Sequence, residues 1–348
     1  MRFPSLRNVG VQAALGSALL FGAGTPVAKL LLDSVSPWLL AGLLYVGSGV
    51  GLLIYRVIRR APRVRLKRTD LAPLLGATFF GGIVGPVLLM AGLASMPASG
   101  ASLLLNAEGV FTAALAWFVF RENFDRRIAL GMLAIVAGAV VLSWPGEVRF
   151  SAMLPSLAIL GACLAWAIDN NLTRKIALTD ATWLAATKGL VAGPVNLMLA
   201  FVLGATLPPL FNVGAAMTVG LLAYGVSLTL FIVALRHLGT ARAGAYFSVA
   251  PFLGAVLAVA LGDPITVPLL VGGVLMAVGV VLHLLERHEH EHTHEAVIHD
   301  HWHVHDEHHK HDHEEPSLPG VRHRHEHSHE AITHTHEHYP DAHHRHPH

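Results

Sequence analysis

The sequence predicts an all-α membrane protein with ten transmembrane helices, followed by a disordered, histidine-rich cytoplasmic tail. Of its 348 residues, 53% are hydrophobic and only 14% are charged, which is less charge than a soluble domain of this length carries. Apolar runs of about 20 residues recur through the first 286 residues, and a helix of that length crosses about 30 Å of hydrocarbon. The tail holds every histidine except His237 and His283.

The apolar runs define ten spans that are joined mostly by short connections. The first run follows Arg2 and Arg7 and therefore resembles a signal peptide, but it continues past 20 residues without a small-residue cleavage site. We interpret it as the first membrane helix. The predicted spans are 9–32, 37–58, 71–94, 98–120, 128–145, 154–173, 182–204, 214–236, 242–262 and 265–285.

Lysine and arginine are distributed unequally between the two sets of loops. One set includes the basic cluster from Arg56 to Arg68, whereas the opposite set holds Arg149 alone. Because cytoplasmic loops carry the excess of Lys and Arg, this asymmetry predicts that both termini are cytoplasmic. We therefore expect a multi-pass protein of the cell (inner) membrane, in contact with the lipid bilayer.

The two halves of the apolar body are weakly similar to each other. Shifted by 141 residues, Phe111 falls on Phe252, and shifted by 145 residues, Trp38 falls on Trp183. The repeat unit holds five spans, and an odd number makes the halves enter the membrane in opposite directions, as in many secondary transporters. We predict two inverted five-helix repeats at 1–145 and 146–286, and a tail at 287–348.

Two motifs carry a resemblance to a known family. Gly109 to Trp117 leads to Arg121-Glu122, and Pro251 to Gly254 leads to Gly262-Asp263. The chain resembles the EamA-type family of the drug/metabolite transporter superfamily over residues 9–285. The resemblance implies ten helices in two inverted repeats and transport by alternating access, without fixing the substrate. The chain departs from the family pattern in two places. A glycine usually precedes the first acidic residue, where Arg121 stands here, and glutamate is commoner at the position of Asp263.

A polar stretch interrupts the sixth span. Asp169, Asn170 and Asn171 lie inside it, and Lys188 lies at a similar depth in the seventh. A charged side chain near the bilayer centre costs about 2.5–3.5 kcal/mol on insertion scales, and it usually has a partner and a function. We therefore predict an Asp169–Lys188 ion pair and a substrate or coupling site around this stretch.

Glu108 is the strongest candidate for a group that carries a proton or binds a cation. It follows Asn106 in the fourth span, closer to the midplane than Asp169. The alternative is that Glu108 has a structural role, either paired with Lys188 or with no charged partner. Its counterpart in the second half is Val249, so a coupling site would be asymmetric.

Two further residues are candidates for substrate binding. Thr25 precedes Pro26 and aligns with Asn170, so both segments are expected to be interrupted helices that leave polar groups facing a cavity; the alternative is a simple kink. Asn196, in the seventh span, is expected to bond another helix or the substrate.

The tail alternates histidine with Glu, Asp and Thr, a composition that binds metals rather than packing a core. Imidazole suits Zn²⁺, Ni²⁺ and Co²⁺, and at pH 7 most of these side chains are neutral and able to coordinate. The alternative is a solubilising or pH-responsive tail. The candidate ligands are His288, His290, His292, His294, His301, His303, His305, His325, His327 and His329.

These observations favour a secondary transporter that exports a small metabolite, a divalent transition metal or its chelate. One alternative is an ordinary metabolite permease whose tail only buffers metal. Another is a membrane metal sensor or scaffold without transport. No ordered catalytic set is evident, so we expect neither an enzyme nor a required cofactor, and no nucleic-acid partner. A homodimer is left open.

Overall fold

The computed structural model describes residues 8–64, 66–120, 126–144, 150–176 and 179–284 of the body. In the tail it describes residues 289–294, 297–303, 323–329 and 332–337. The chain forms two compact units, one containing Met1–Glu286 and the other Arg287–Tyr339.

The described part of the body is helical. Two segments within it, Thr78–Val84 and Gly220–Val226, are π-helical. The helices are α1 (Val9–Leu31), α2 (Pro37–Ile58), α3 (Arg68–Ala77), α4 (Gly85–Ala94), α5 (Ala98–Leu104), α6 (Ala107–Phe120), α7 (Arg126–Ser143), α8 (Phe150–Lys175), α9 (Ala181–Val202), α10 (Leu210–Val219), α11 (Ser227–Phe247), α12 (Ala250–Ala260) and α13 (Val267–Leu284).

Six helical stretches among the described residues are long and apolar enough to cross a membrane. Three shorter apolar helices accompany them, at Ala129–Ser143, Ala250–Ala260 and Val267–Leu282. The body is therefore a multi-pass, all-α membrane protein. The six stretches are Val9–Leu31, Pro37–Ile58, Arg68–Ala94, Met153–Thr173, Ala181–Val202 and Leu210–Leu238.

Local sequence signals fix several helix ends. The Asn8 carboxamide oxygen accepts from the Gly10 N–H at 2.8 Å at the start of α1, because the first amides of a helix lack intrahelical partners. Asp180 caps α9 by accepting from the Trp183 N–H at 2.8 Å. Helix α2 ends in a Schellman motif in which Arg60, at φ 48°, occupies the left-handed position usually given to glycine.

The predicted interruption of the first and sixth spans is wrong. Helix α1 continues through Pro26, and α8 continues through Asn170. The carbonyl of Gly22, which proline deprives of its donor, faces α12 at Gly254, where a Cβ would lie only 2.7 Å from it. Close packing therefore supports α1 at this point, and the helix does not unwind.

The irregularities occur in other spans. The two π-helical segments begin 142 residues apart, at residues 78 and 220, so they occupy corresponding places in the two halves. A short break at Leu105–Asn106 separates α5 from α6, and another at Ser248–Val249 separates α11 from α12. The chain also reverses within α11, since the rings of Phe231 and Phe247 lie 4.8 Å apart, whereas a straight helix would separate the two residues by about 24 Å.

Small residues allow the helices of the body to pack closely. Helix α2 packs along α9, α7 along α13, α1 against α11 and α12, and α4 against α8. A Cβ on Gly49 would lie 2.5 Å from the backbone nitrogen of Leu190, and one on Gly279 would lie 2.6 Å from the carbonyl oxygen of Gly131. These contacts hold because glycine lets helix backbones approach each other, as is common in membrane helix pairs.

The tail contains strands where the sequence predicts disorder. Strand β1 (Glu289–His294) pairs antiparallel with β4 (Ile332–Glu337), and β2 (Val297–His303) pairs antiparallel with β3 (His323–His329). The physical reason is the period of two, because histidine recurs at every second position in all four strands and side chains two apart share one face of a strand.

Candidate functional site

One face of α8 carries the polar residues around which the candidate site is built. Trp166, Asp169, Asn170 and Thr173 are spaced at i, i+3, i+4 and i+7, so they form a stripe along one side of the helix. Its side chains bond Glu108 of α6, Lys188 of α9 and Gly81 of the first π-helical segment. The helical period therefore brings together side chains from a stretch that the sequence identifies only as polar.

The predicted ion pair between Asp169 and Lys188 is present. The Lys188 ammonium donates to Asp169 Oδ1, and also to Thr173 Oγ1 at 2.9 Å. The Thr173 hydroxyl in turn donates to Asp169 Oδ1 at 2.7 Å. Lys188 is 3% exposed and Asp169 is 8% exposed, so each charge depends on the other, because a buried charge without its partner is strongly unfavourable.

The first π-helical segment supplies acceptors to the site. A π turn shifts the backbone register, and here the Gly81 carbonyl accepts from the Tyr45 hydroxyl at 2.5 Å and from Trp166 Nε1 at 3.0 Å. The neighbouring carbonyl of Gly82 accepts from Asn196 Nδ2 at 2.9 Å. Asn196 is fully buried and thus makes the interhelical bond expected from the sequence.

Gly81 also makes room for the ion pair. A Cβ at this position would lie 1.8 Å from Asp169 Oδ2, so the carboxylate packs directly against the glycine backbone. Any side chain here would displace Asp169 from Lys188.

Glu108 lies beside the ion pair without sharing it. Its Oε1 accepts from Asn170 Nδ2 at 2.7 Å, and the residue is half-buried. A Cβ on the adjacent Gly109 would meet no described atom within 4 Å, so the side of α6 at Gly109 is not packed against the described residues. The alternative pairing of Glu108 with Lys188 is therefore wrong, because Lys188 bonds Asp169 and Thr173 instead.

An aromatic cluster adjoins the polar stripe. The Phe21 ring lies 5.8 Å from that of Trp166, 6.1 Å from that of Tyr224 and 5.4 Å from that of Phe247. The rings of Tyr45 and Tyr224 lie 5.4 Å apart. The cluster joins helices of both halves of the chain next to the Glu108–Asn170 contact.

Comparison with known proteins identifies the family. The model of the EamA-like transporter family matches residues 8–144 and again residues 153–285. The chain belongs to the EamA-like transporter family. It is therefore a membrane transporter, and the two matched segments correspond to the two halves of the body.

Relatives of this EamA-like transporter cover most of the body. An uncharacterized transporter of Methanothermobacter thermautotrophicus is 28% identical over 292 residues, 78% of this chain and 84% of the relative. A probable amino-acid metabolite efflux pump of Salmonella typhimurium is 30% identical over 164 residues, 47% of this chain and 52% of the pump. A protein of known crystal structure, 17% identical, matches with a TM-score of 0.61 over 79% of this chain and 96% of its own, which supports the fold alone.

The remaining predicted residues of this transporter lie around the cluster or outside it. Asn171 donates to the Ala167 carbonyl at 2.9 Å and lies 3.5 Å from that of Thr112. Asn106 lies at the α5–α6 break, where its Nδ2 donates to the Leu103 carbonyl at 2.9 Å, and its buried Oδ1 accepts no hydrogen bond from the described residues. Thr25 is buried on α1, and no described hydrogen bond joins it to the Asp169 cluster.

Several residues of the cluster were missed by reasoning from the sequence. Thr173 stands within the polar stretch, and its i+4 spacing from Asp169 could have indicated it. Tyr45 and Gly81 had no such signal, because their importance depends on a π turn and on contacts between distant segments.

The metal-binding predictions fall in the tail. Within the described residues, no three His, Cys, Asp or Glu side chains form a group that could hold a metal ion. His288 and His305, together with Glu122 of the family motif, lie outside the described residues. The other candidate ligands lie in strands, with His290, His292 and His294 in β1, His301 and His303 in β2, and His325, His327 and His329 in β3.

Proposed function

We propose that this EamA-like transporter is a secondary carrier that exports a small organic metabolite by alternating access. The observation that carries the proposal is the contact between Glu108 and Asn170 beside the buried Asp169–Lys188 pair. A half-buried carboxylate among apolar helices is costly, and it is available to a cationic group or a proton because Lys188 is already paired. Glu108 and Asn170 are the proposed cargo or coupling groups, and Asp169 and Lys188 hold α8 and α9 around them.

The same proposal includes ten spans arranged as two inverted five-helix repeats. Antiparallel contacts support it, because Gly49 approaches Leu190 while Gly42 approaches Leu197. The π-helical segments at corresponding places support it as well. Helix α1 packs on the segment following the second π turn, and α8 packs on the segment following the first, which is the pattern expected of a pseudo-twofold axis in the membrane plane.

The charge of the loops supports an orientation in the membrane, and the aromatic cluster supports a class of cargo. We infer cytoplasmic termini and a location in the cell membrane from the basic loops. An organic cargo is favoured because aromatic faces bind cationic and apolar groups. Trp166 lies one helical turn from Asn170 on α8, and its ring is 5.8 Å from that of Phe21. The Salmonella relative is described as a probable amino-acid metabolite efflux pump, so amino acids and their derivatives are the first cargo class to test.

Export by cells tests this function. Cells that overproduce the wild-type protein, Glu108→Gln or Asp33→Asn would be compared by quantifying amino acids in the medium by mass spectrometry. Asp33 is an exposed carboxylate in the loop after α1 and serves as the matched control. We expect enhanced export with wild type and Asp33→Asn, and its loss with Glu108→Gln at equal protein level. Unchanged export by Glu108→Gln would contradict the assigned role.

A second function, metal binding by the tail, is favoured by strand register. Opposite positions in the β2–β3 ladder pair His299 with His327, His301 with His325 and His303 with His323. Residues two apart share one face of a strand, so these positions form a row on one face of the ladder. Histidine pairs at this spacing suit Zn²⁺, Ni²⁺ or Co²⁺. We propose that the tail binds such ions as a buffer or regulator.

Deleting residues 287–348 separates the two functions. We expect the shortened protein to export metabolite as before and to lose Ni²⁺ and Zn²⁺ binding in equilibrium dialysis. Lower cellular metal accumulation with the full chain but not with the deletion would instead identify the metal or its chelate as cargo. A protein that binds metal and exports nothing would favour the sensor or scaffold alternative.

A further inference from the structure

A basic groove at the end of α2 is not part of the proposed transport site. Its cavity measures about 550 Å³, and its lining includes Arg56, Arg60, Arg63 and Trp183 together with the apolar Leu53 and Val57. The groove lies where the C-terminal end of α2 meets the N-terminal end of α9, at the edge of two membrane-spanning segments.

Arg56 forms the fixed wall of the groove. Its Nη1 donates to Asp180 Oδ1 at 2.6 Å and to Thr182 Oγ1 at 2.7 Å, and its Nη2 donates to the Pro62 carbonyl at 2.9 Å. It therefore ties the loop after α2 to the start of α9. With its carboxylate partner in place, Arg56 shapes the groove and leaves little charge for a ligand.

Arg60 and Arg63 are different, because neither pairs with a carboxylate in the described part of the chain. Both are exposed, and both guanidinium groups are free to donate to a phosphate, which arginine binds in a bidentate manner. The left-handed backbone of Arg60, at φ 48°, disfavours a residue with a side chain. An arginine is nevertheless held there, at the rim of the groove.

The surroundings of the groove indicate where its ligand comes from. Leu53 and Val57 are 43% and 68% exposed, and they continue from the groove onto the apolar outer surface of a membrane helix. Trp183 is half-buried beside them, and tryptophan prefers the boundary between lipid and water. A ligand with a phosphate head and an apolar body matches a groove that is basic at one end and apolar at the other.

We propose that this groove binds the phosphodiester head group of an anionic phospholipid, with Arg60 and Arg63 on the phosphate and the acyl chains along Leu53 and Val57. The inference does not depend on the cargo, on Glu108 or on the tail. Binding would anchor the loop after α2, and thereby the α2–α9 contact, to the membrane surface.

Fluorescence quenching tests the proposal with the full-length protein in detergent micelles. Phosphatidylglycerol brominated on its acyl chains is titrated in, and the contribution of Trp183 is obtained as the difference between wild type and Trp183→Phe. We expect saturable quenching of Trp183 at a lower concentration than with brominated phosphatidylcholine. Each of Arg60→Gln and Arg63→Gln should weaken binding about five-fold, consistent with the attraction of one basic residue to an anionic surface.

Arg59→Gln is the matched control, because Arg59 lies in the same basic segment but does not line the groove. Its affinity should equal that of wild type, and added salt should weaken binding to wild type more than to Arg60→Gln. The proposal is overturned if Arg59→Gln loses as much affinity as the groove variants, or if phosphatidylcholine quenches equally well. Displacement by soluble glycerol 1-phosphate at the same concentration as the lipid would overturn the lipid assignment. Size-exclusion profiles show whether each variant remains folded. The salt dependence of lipid binding by the wild type provides a second measurement that needs no variant.

Discussion

Removing one charge from the Asp169–Lys188 pair should destabilise the transporter more than removing both. In Asp169→Asn, the Lys188 ammonium stays 3% exposed and keeps only Thr173 and a neutral amide as acceptors. Breaking a buried pair in this way costs about 3–5 kcal/mol. Lys188→Met leaves the carboxylate equally unpaired, so we expect a similar loss of stability.

The double variant, Asp169→Asn with Lys188→Met, removes both charges and should recover most of the loss. Replacing a buried ion pair by neutral groups of similar volume is often close to neutral. The sum of the losses in unfolding free energy of the two single variants should therefore exceed the loss of the double variant by at least about 3 kcal/mol. Asp180→Asn is the comparison, since its carboxylate is 34% exposed and a partly solvated pair contributes less.

Reversible unfolding in mixed micelles, followed by tryptophan fluorescence, measures these differences. A double variant less stable than either single variant would refute the buried-pair reasoning. Export then separates two roles for the pair. Because Asp169 and Lys188 are proposed to hold α8 and α9 around Glu108 and Asn170, the refolded double variant should export as wild type does, whereas a folded but inactive double variant would place the pair in the working site.

Three further predictions follow from packing and charge. Gly81→Ala should destabilise the protein by about 1–3 kcal/mol and abolish export, because its Cβ displaces the Asp169 carboxylate; wild-type export would contradict this. Gly138→Ala and Gly279→Ala, at corresponding positions of the α7–α13 contact, should lose similar stability. Gly214→Ala should lose none, because the added Cβ would have no described atom within 4 Å. Unequal losses for the first two variants would count against the inverted repeat. Burial opposes ionisation of Asp180, but hydrogen bonds from Thr182, the Trp183 N–H and Arg56 outweigh it and lower its pKa. Its contribution to stability is thus complete above its unfolded pKa of about 3.9 and is lost as the pH falls through the lowered value. Unfolding titrations of wild type and Asp180→Asn should therefore converge in acid, and parallel curves would contradict the linkage.

The local character of the helices could be predicted from the sequence, and the irregularities could not. Runs of about 20 apolar residues predicted α1, α2, α8 and α9 nearly to their ends. Pro26 suggested an interruption of α1, but packing against Gly254 keeps that helix continuous. The π turns went unrecognised because the sequence around residues 78–84 reads as an ordinary apolar helix, and its register shift is stabilised by Tyr45 and Trp166 from other helices.

The sequence predicted several residues of the candidate site but not all of the contacts between them. Depth along the helices was enough to predict that Asp169 pairs with Lys188, because both positions follow from a rise of 1.5 Å per residue. The partner of Glu108 was not predictable in this way. Asn170, Asp169 and Lys188 were all within reach, and only the orientation of α6 against α8 selects Asn170.

By itself the sequence determined that the chain is a helical membrane protein with a histidine-rich tail, because hydrophobic length and residue type act locally. The tertiary structure decided which polar groups meet. Whether a buried carboxylate faces a lysine, an amide or open space depends on how helices distant in the chain cross, and glycines at those crossings set the distances.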